Sequence, residues 1–165
     1  MRADKVYLVG FMGAGKSTVA RSLGRRLGWR VEDIDELVEA QERCPVSEIF
    51  ATRGERYFRV AERDVLRRLM LADHIVVATG SGTYVDGENR AAINANGAAI
   101  WLDLPWTAAV ARVPADGRRP LAQDRARFEA LFQARRLAYQ EAHLRLDATC
   151  PVEELVERIL DWLGY

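Results

Sequence analysis

The chain has 165 residues, 49% hydrophobic and 29% charged, with 24 basic side chains balancing 24 acidic ones. That length and composition suit one globular domain with a buried core. A net charge of zero argues against a general nucleic-acid or anionic-membrane surface, and no apolar run approaches the roughly 20 residues that span a bilayer.

Apolar runs alternate with longer amphipathic stretches, the pattern of a parallel α/β fold. The pattern predicts strands over 5–9, 30–33, 75–79, 98–102 and 144–148. It predicts helices over 16–27, 35–42, 46–52, 55–71, 88–95, 105–112, 125–141 and 152–163, with Pro105 and Pro151 in first turns. Met1 to Lys5 lead straight into the first strand, which leaves no room for a secretory leader. Cys44 and Cys150 are far apart, lack metal-ligand spacing, and read as reduced thiols of a cytoplasmic protein. His74 and His143 stand apart from each other and read as surface residues.

Between the first strand and first helix stands Gly10-Phe11-Met12-Gly13-Ala14-Gly15-Lys16-Ser17, a complete G-x-x-x-x-G-K-[ST] phosphate-binding loop. Its glycines let successive backbone N–H groups turn inward toward phosphate oxygens. The helix that follows adds the positive end of its dipole. Lys16 suits the outer phosphates and the Ser17 hydroxyl suits Mg²⁺. Only Lys5 and Lys16 among the 24 basic residues are lysine, so Lys16 is not background composition.

The second strand ends Glu32-Asp33-Ile34-Asp35. Ligands of an open α/β sheet sit beyond the carboxyl ends of its strands. Asp33 and Asp35 alternate by two, which in an extended segment points both to one side. Either also suits an N-cap for the next helix. Beside a phosphate loop, the pair points to Mg²⁺ and substrate hydroxyl contacts.

Further on, Phe58 and Glu62 stand at i and i+4 on a helix, and Arg59 and Glu62 at i and i+3, close enough to pair. A solvated helix face explains such a run equally well. The third strand ends Thr79-Gly80-Ser81-Gly82-Thr83, a turn that admits close approach of backbone to a ligand and also fits any tight strand-to-helix connection. Residues 113–124 carry Pro114, Gly117, Arg118, Arg119 and Pro120. A surface loop explains that composition, and a mobile lid explains the arginines as well.

Taken together, these pieces resemble the shikimate kinase family over essentially the whole chain. The matches are Gly10-Phe11-Met12-Gly13-Ala14-Gly15-Lys16-Ser17-Thr18, Asp33-x-Asp35, Ile49-Phe50-Ala51, Gly54-Glu55 with Phe58-Arg59, Gly80 with Gly82, Arg119-Pro120-Leu121, and Arg135 with Tyr139, in the family's order. The resemblance implies a three-layer α/β/α P-loop kinase of the nucleoside-monophosphate-kinase-like fold, with a five-stranded parallel sheet and a mobile lid. It implies one domain over 1–165, a lid at about 113–124 and a substrate-binding segment at about 33–62. The implied activity moves the γ-phosphate of ATP to the 3-hydroxyl of shikimate, on the route to chorismate and the aromatic amino acids. A related kinase acting on another small hydroxylated carboxylic acid is the alternative.

The resemblance also assigns roles. Asp35, Lys16 and Arg119 are its catalytic residues. Gly13, Ala14, Gly15, Lys16, Ser17, Thr18, Arg112 and Arg119 hold ATP, with Arg112 on the adenine side. Asp35, Arg59, Gly80, Ser81, Gly82 and Arg135 hold shikimate, Arg59 and Arg135 gripping its carboxylate. Ser17 and Asp33 serve Mg²⁺, Glu62 orients Arg59, and Phe50 and Phe58 wall the pocket. ATP and shikimate are the implied partners of a cytoplasmic monomer, without nucleic acid or membrane. Four features depart from the pattern, one being the short segment over 147–151 after the last strand, which lacks the arginine that many relatives place near adenine. Ser81 replaces a central glycine, and Thr83 replaces a common alanine, a change expected to matter little. Arg136 follows Arg135 where a proline is usual, and the four-residue spacing to Tyr139 favours Arg135 over Arg136 as the carboxylate ligand.

Overall fold

The computed structural model describes residues 3–112 and 124–165. Five strands form one sheet: β1 (Lys5–Val9), β2 (Arg30–Asp33), β3 (Ile75–Ala78), β4 (Ala98–Asp103) and β5 (Leu144–Asp147). Their order is β2-β3-β1-β4-β5, and every pairing is parallel. The central strands are apolar along their length because helices cover both faces of such a sheet. Val6, Tyr7, Leu8 and Val9 of β1 are wholly buried, as are Ile75, Val76 and Val77 of β3 and Ala98, Ala99 and Ile100 of β4. Val6 lies between Val76 on one side and Ala98 on the other.

The helices are α1 (Lys16–Leu27), α2 (Ile34–Glu42), α3 (Val46–Leu69), α4 (Gly87–Asn96), α5 (Trp106–Arg112), α6 (Arg125–Tyr139) and α7 (Val152–Leu163). In α7, Leu155, Val156, Ile159, Leu160 and Leu163 are buried, an i, i+4 stripe that lies against α1. Helix starts follow local chemistry: Asp86 caps α4 by accepting from Asn89 N at 2.9 Å, and Asp124 caps α6 by accepting from Arg127 N at 3.1 Å. Pro105 and Pro151 precede the first helical residues rather than occupying them.

The expected division between helices over 46–52 and 55–71 is present as a kink within α3 at Gly54, whose φ of 85° and ψ of 166° are non-helical and which the glycine backbone permits without strain. A short 3-10 turn over Thr83–Val85, absent from the sequence pattern, follows β3. The helix expected from residue 35 begins one residue earlier, so Asp35 is helical rather than extended.

Because all strands run the same way, their carboxyl ends share one edge of the sheet. With β1 between β3 and β4, and β2 beside β3, the segments leaving β1, β2 and β3 converge there.

Candidate active site

The segment leaving β1 curls as its glycines allow. Gly15, at φ 90°, is the N-cap of α1 and leads directly into Lys16. The Lys16 ammonium folds back over the loop and donates to the carbonyls of Gly10 at 2.6 Å and Phe11 at 3.1 Å. From α5, the Arg112 guanidinium donates to the carbonyl of Gly13 at 3.1 Å, which ties that helix to the loop. A cleft of about 540 Å³ opens beside this loop, with Gly13, Gly15, Lys16, Ser17, Thr18 and Arg112 along one side and Asp33, Asp35, Thr79 and Ser81 along the other.

At the end of β2, Asp33 does two things. One carboxylate oxygen accepts from Glu36 N at 3.1 Å and caps α2; the other accepts from the Ser17 hydroxyl. The capping reading of Asp33 thus holds for one oxygen, while the other oxygen reaches the phosphate loop at Ser17. The period-two argument for Asp35 fails, because that residue sits in the first turn of α2. Asp35 nevertheless lines the same cleft, and it does so against Gly80. A Cβ added at Gly80 would lie 2.8 Å from Asp35 Oδ1, 3.0 Å from Glu62 Oε2 and 3.1 Å from Thr83 Oγ1. The strand-to-helix turn is thus packed between two carboxylates.

On α3, Arg59 donates to both oxygens of Glu62, at 3.1 and 3.2 Å, and to Glu55 at 3.2 Å. Glu62 is 1% exposed. Burial pushes its carboxyl above the ordinary range, against the opposing pull of Arg59 and of the Thr83 hydroxyl, which donates to it at 2.9 Å. Arg59 also loses hydration, yet Glu62 and Glu55 more than compensate and hold its guanidinium firmly charged. Arg135, on α6, is 5% exposed and donates to Ser81 Oγ at 2.7 Å. Burial lowers its pKa from the usual guanidinium value, and the neighbouring Arg59 charge adds to that.

Arg136 points elsewhere. It donates to Asp103 at 2.5 Å and lies 5.1 Å from the centre of the Trp101 ring, a cluster at the end of β4 shared with Arg145. Of the two candidate arginines, Arg135 is the one beside the β3 turn. Phe50 and Phe58 face each other at 5.1 Å, and neither lines the cleft among the described residues. Thr83, expected to matter little, is fully buried and bonded to Glu62. Its position after a glycine turn carried no signal of that bond, since its partner lies 21 residues away. Arg119 and nearly all of the expected lid lie outside the described residues. Among the described residues, no group of three or more His, Cys, Asp or Glu side chains is placed to hold a metal, and no helix is long and apolar enough to cross a membrane.

The model of one protein family, shikimate kinase, matches residues 12–164. This chain belongs to the shikimate kinase family. A shikimate kinase from Salinibacter ruber is 42% identical over 95% of this chain and 83% of its own length. Another, from Persephonella marina, is 40% identical over 86% of this chain and 87% of its own. Among solved structures, a shikimate kinase from Acinetobacter baumannii in complex with shikimate superposes with a TM-score of 0.92 at 32% identity, covering 97% of this chain and 92% of that one. A shikimate kinase from Aquifex aeolicus gives 0.88 at 34% identity, covering 96% and 95%. The five-stranded all-parallel sheet with flanking helices is the shikimate kinase fold expected from the sequence.

Proposed function

We propose that this chain transfers the γ-phosphate of ATP to the 3-hydroxyl of shikimate, as a shikimate kinase of aromatic amino acid biosynthesis. The observation that carries this reading is the turn after β3. It is bracketed by two arginines and a carboxylate: Arg59 packs against Gly82, Arg135 bonds Ser81, and Asp35 faces Gly80. That set is complementary to a small acid bearing a hydroxyl. Two guanidinium groups bind its carboxylate, and Asp35 holds its hydroxyl and orients or accepts the proton it loses.

Across the cleft, the phosphate loop holds ATP. Lys16 turns from the Gly10 and Phe11 carbonyls toward the outer phosphates, and Arg112 borders the nucleotide end. The Ser17 hydroxyl and Asp33 carboxylate, already in contact, form a hard oxygen pair that fits Mg²⁺, Ser17 as direct ligand and Asp33 through water. Held by these two residues, Mg²⁺ would supply charge neutralisation at the phosphates of ATP. Arg119, assigned by resemblance, adds positive charge to the transferring group. The protein works as a cytoplasmic enzyme.

The test is ADP release in the presence of ATP, Mg²⁺ and a panel of hydroxylated carboxylic acids. Saturable turnover with shikimate supports the reading. Turnover with another acid and none with shikimate would replace it by the related-kinase alternative.

A further inference from the structure

Ser81 stands between two glycines in the sequence and lines the cleft. Its hydrogen-bond accounting is asymmetric. Ser81 Oγ accepts from Arg135 at 2.7 Å, and Arg135 can only donate. Tyr139 donates its phenolic proton to the Ser81 carbonyl at 2.5 Å, and burial pushes that phenol up to about 12, so the proton stays in place. Tyr139 therefore has no proton left for Ser81 Oγ. Across the 3.3 Å between the two hydroxyl oxygens only Ser81 could donate. That distance exceeds the ordinary range of about 2.5–3.0 Å for O–H···O bonds. The Ser81 proton is thus weakly engaged, on an oxygen polarised by a guanidinium, in a residue that lines the cleft.

We infer that the Ser81 hydroxyl is a third donor to the substrate carboxylate, alongside Arg59 and Arg135, and so helps to select for a carboxylate at that position. This rests on the substrate reading given above. An anion held by Arg135 lies next to the atom that Arg135 already contacts. Ser81 can keep accepting from Arg135 while donating to the anion, giving up only the long 3.3 Å contact to the Tyr139 hydroxyl. Hydrogen bonds to an ionised acceptor are roughly twice as strong as neutral ones, so the gain falls on the carboxylate rather than on hydroxyls elsewhere in the substrate.

The experiment is a double-mutant cycle with a substrate arm. Ser81→Ala, Arg135→Met and the double variant are assayed for KM and kcat on shikimate, and on an analogue with hydrogen in place of the carboxylate. Ser81→Gly provides a second removal of the hydroxyl should the alanine variant fold poorly. Ser81→Ala is expected to raise KM for shikimate about tenfold, with kcat within about twofold. The serine effect should persist in the Arg135→Met background at about threefold or more, and vanish on the analogue. A KM within about twofold of wild type would overturn the inference. So would an effect that disappears in the Arg135→Met background, since the hydroxyl would then only prop the guanidinium. An equal effect on the analogue would overturn it as well. A wild-type chain inactive on shikimate would instead overturn the substrate reading on which the inference stands.

Discussion

The guanidinium of Arg59 lies flat against the backbone of Gly82: a Cβ added there would sit 2.6 Å from its Cζ. Glu62 and Glu55 both accept from the same guanidinium, so it has little freedom to withdraw. Gly82→Ala is expected to displace Arg59 while leaving the nucleotide side intact. KM for shikimate should rise about 10- to 100-fold, the cost of a lost charge-assisted contact, with KM for ATP unchanged. Steady-state kinetics with each substrate varied in turn checks this; an unchanged shikimate KM would show that Arg59 has room to move.

Lys16 holds its ammonium within the phosphate loop through two carbonyls of that loop. Lys16→Ala should abolish nearly all phosphoryl transfer, because that reaction depends mostly on positioning and charge stabilisation. A folded variant, by far-UV circular dichroism, that retains more than about a tenth of wild-type kcat would contradict the role, a margin of roughly 1.4 kcal/mol.

Asp35 faces Gly80, its Oδ1 2.8 Å from where a Cβ would lie on that residue. Asp35→Asn should lower kcat by about 10²- to 10⁴-fold, the usual contribution of a general base, with ATP affinity preserved. Calorimetric titration of ATP separates the outcomes: lost nucleotide affinity with kcat intact would move Asp35 to the nucleotide site.

Arg135 and Arg136 are adjacent in sequence and face different surroundings, Ser81 in one case and Asp103 with Trp101 in the other. Arg135→Met should raise KM for shikimate about 10- to 100-fold. Arg136→Met should leave it within about twofold and act instead on thermal stability. A larger substrate defect at Arg136 would reverse the assignment.

Thr83 donates to buried Glu62, which in turn holds Arg59. Burial already raises the Glu62 pKa, and the Thr83 bond opposes that rise by favouring the charged form. Thr83→Val removes the bond at nearly constant volume, so the pKa rises further. Protonated Glu62 no longer pairs with Arg59, so binding of shikimate weakens as pH falls through that pKa. The acid limb of the KM–pH profile for shikimate should therefore move to higher pH in the variant. A profile superimposable on wild type would reduce Thr83 to packing.

The sequence alone determined the phosphate loop, the parallel α/β class and nearly every element, because these depend on short-range chemistry. Glycine spacing sets the loop, apolar runs set the buried strands, and 3.6-residue periodicity sets the helices. It also paired Arg59 with Glu62, since three residues on a helix fix their distance. The tertiary structure decided what local spacing leaves open. Arg135 and Arg136 differ by one position, about 100° around a helix, and only the packing of α6 sends one to Ser81 of the β3 turn and the other to Asp103. Asp35 reaches the cleft from a helical turn rather than from an extended strand end, because α2 begins at Ile34. Thr83 meets Glu62 only because α3 packs against the turn that follows β3. Such contacts join residues far apart in the chain, and their geometry is fixed by packing rather than by periodicity.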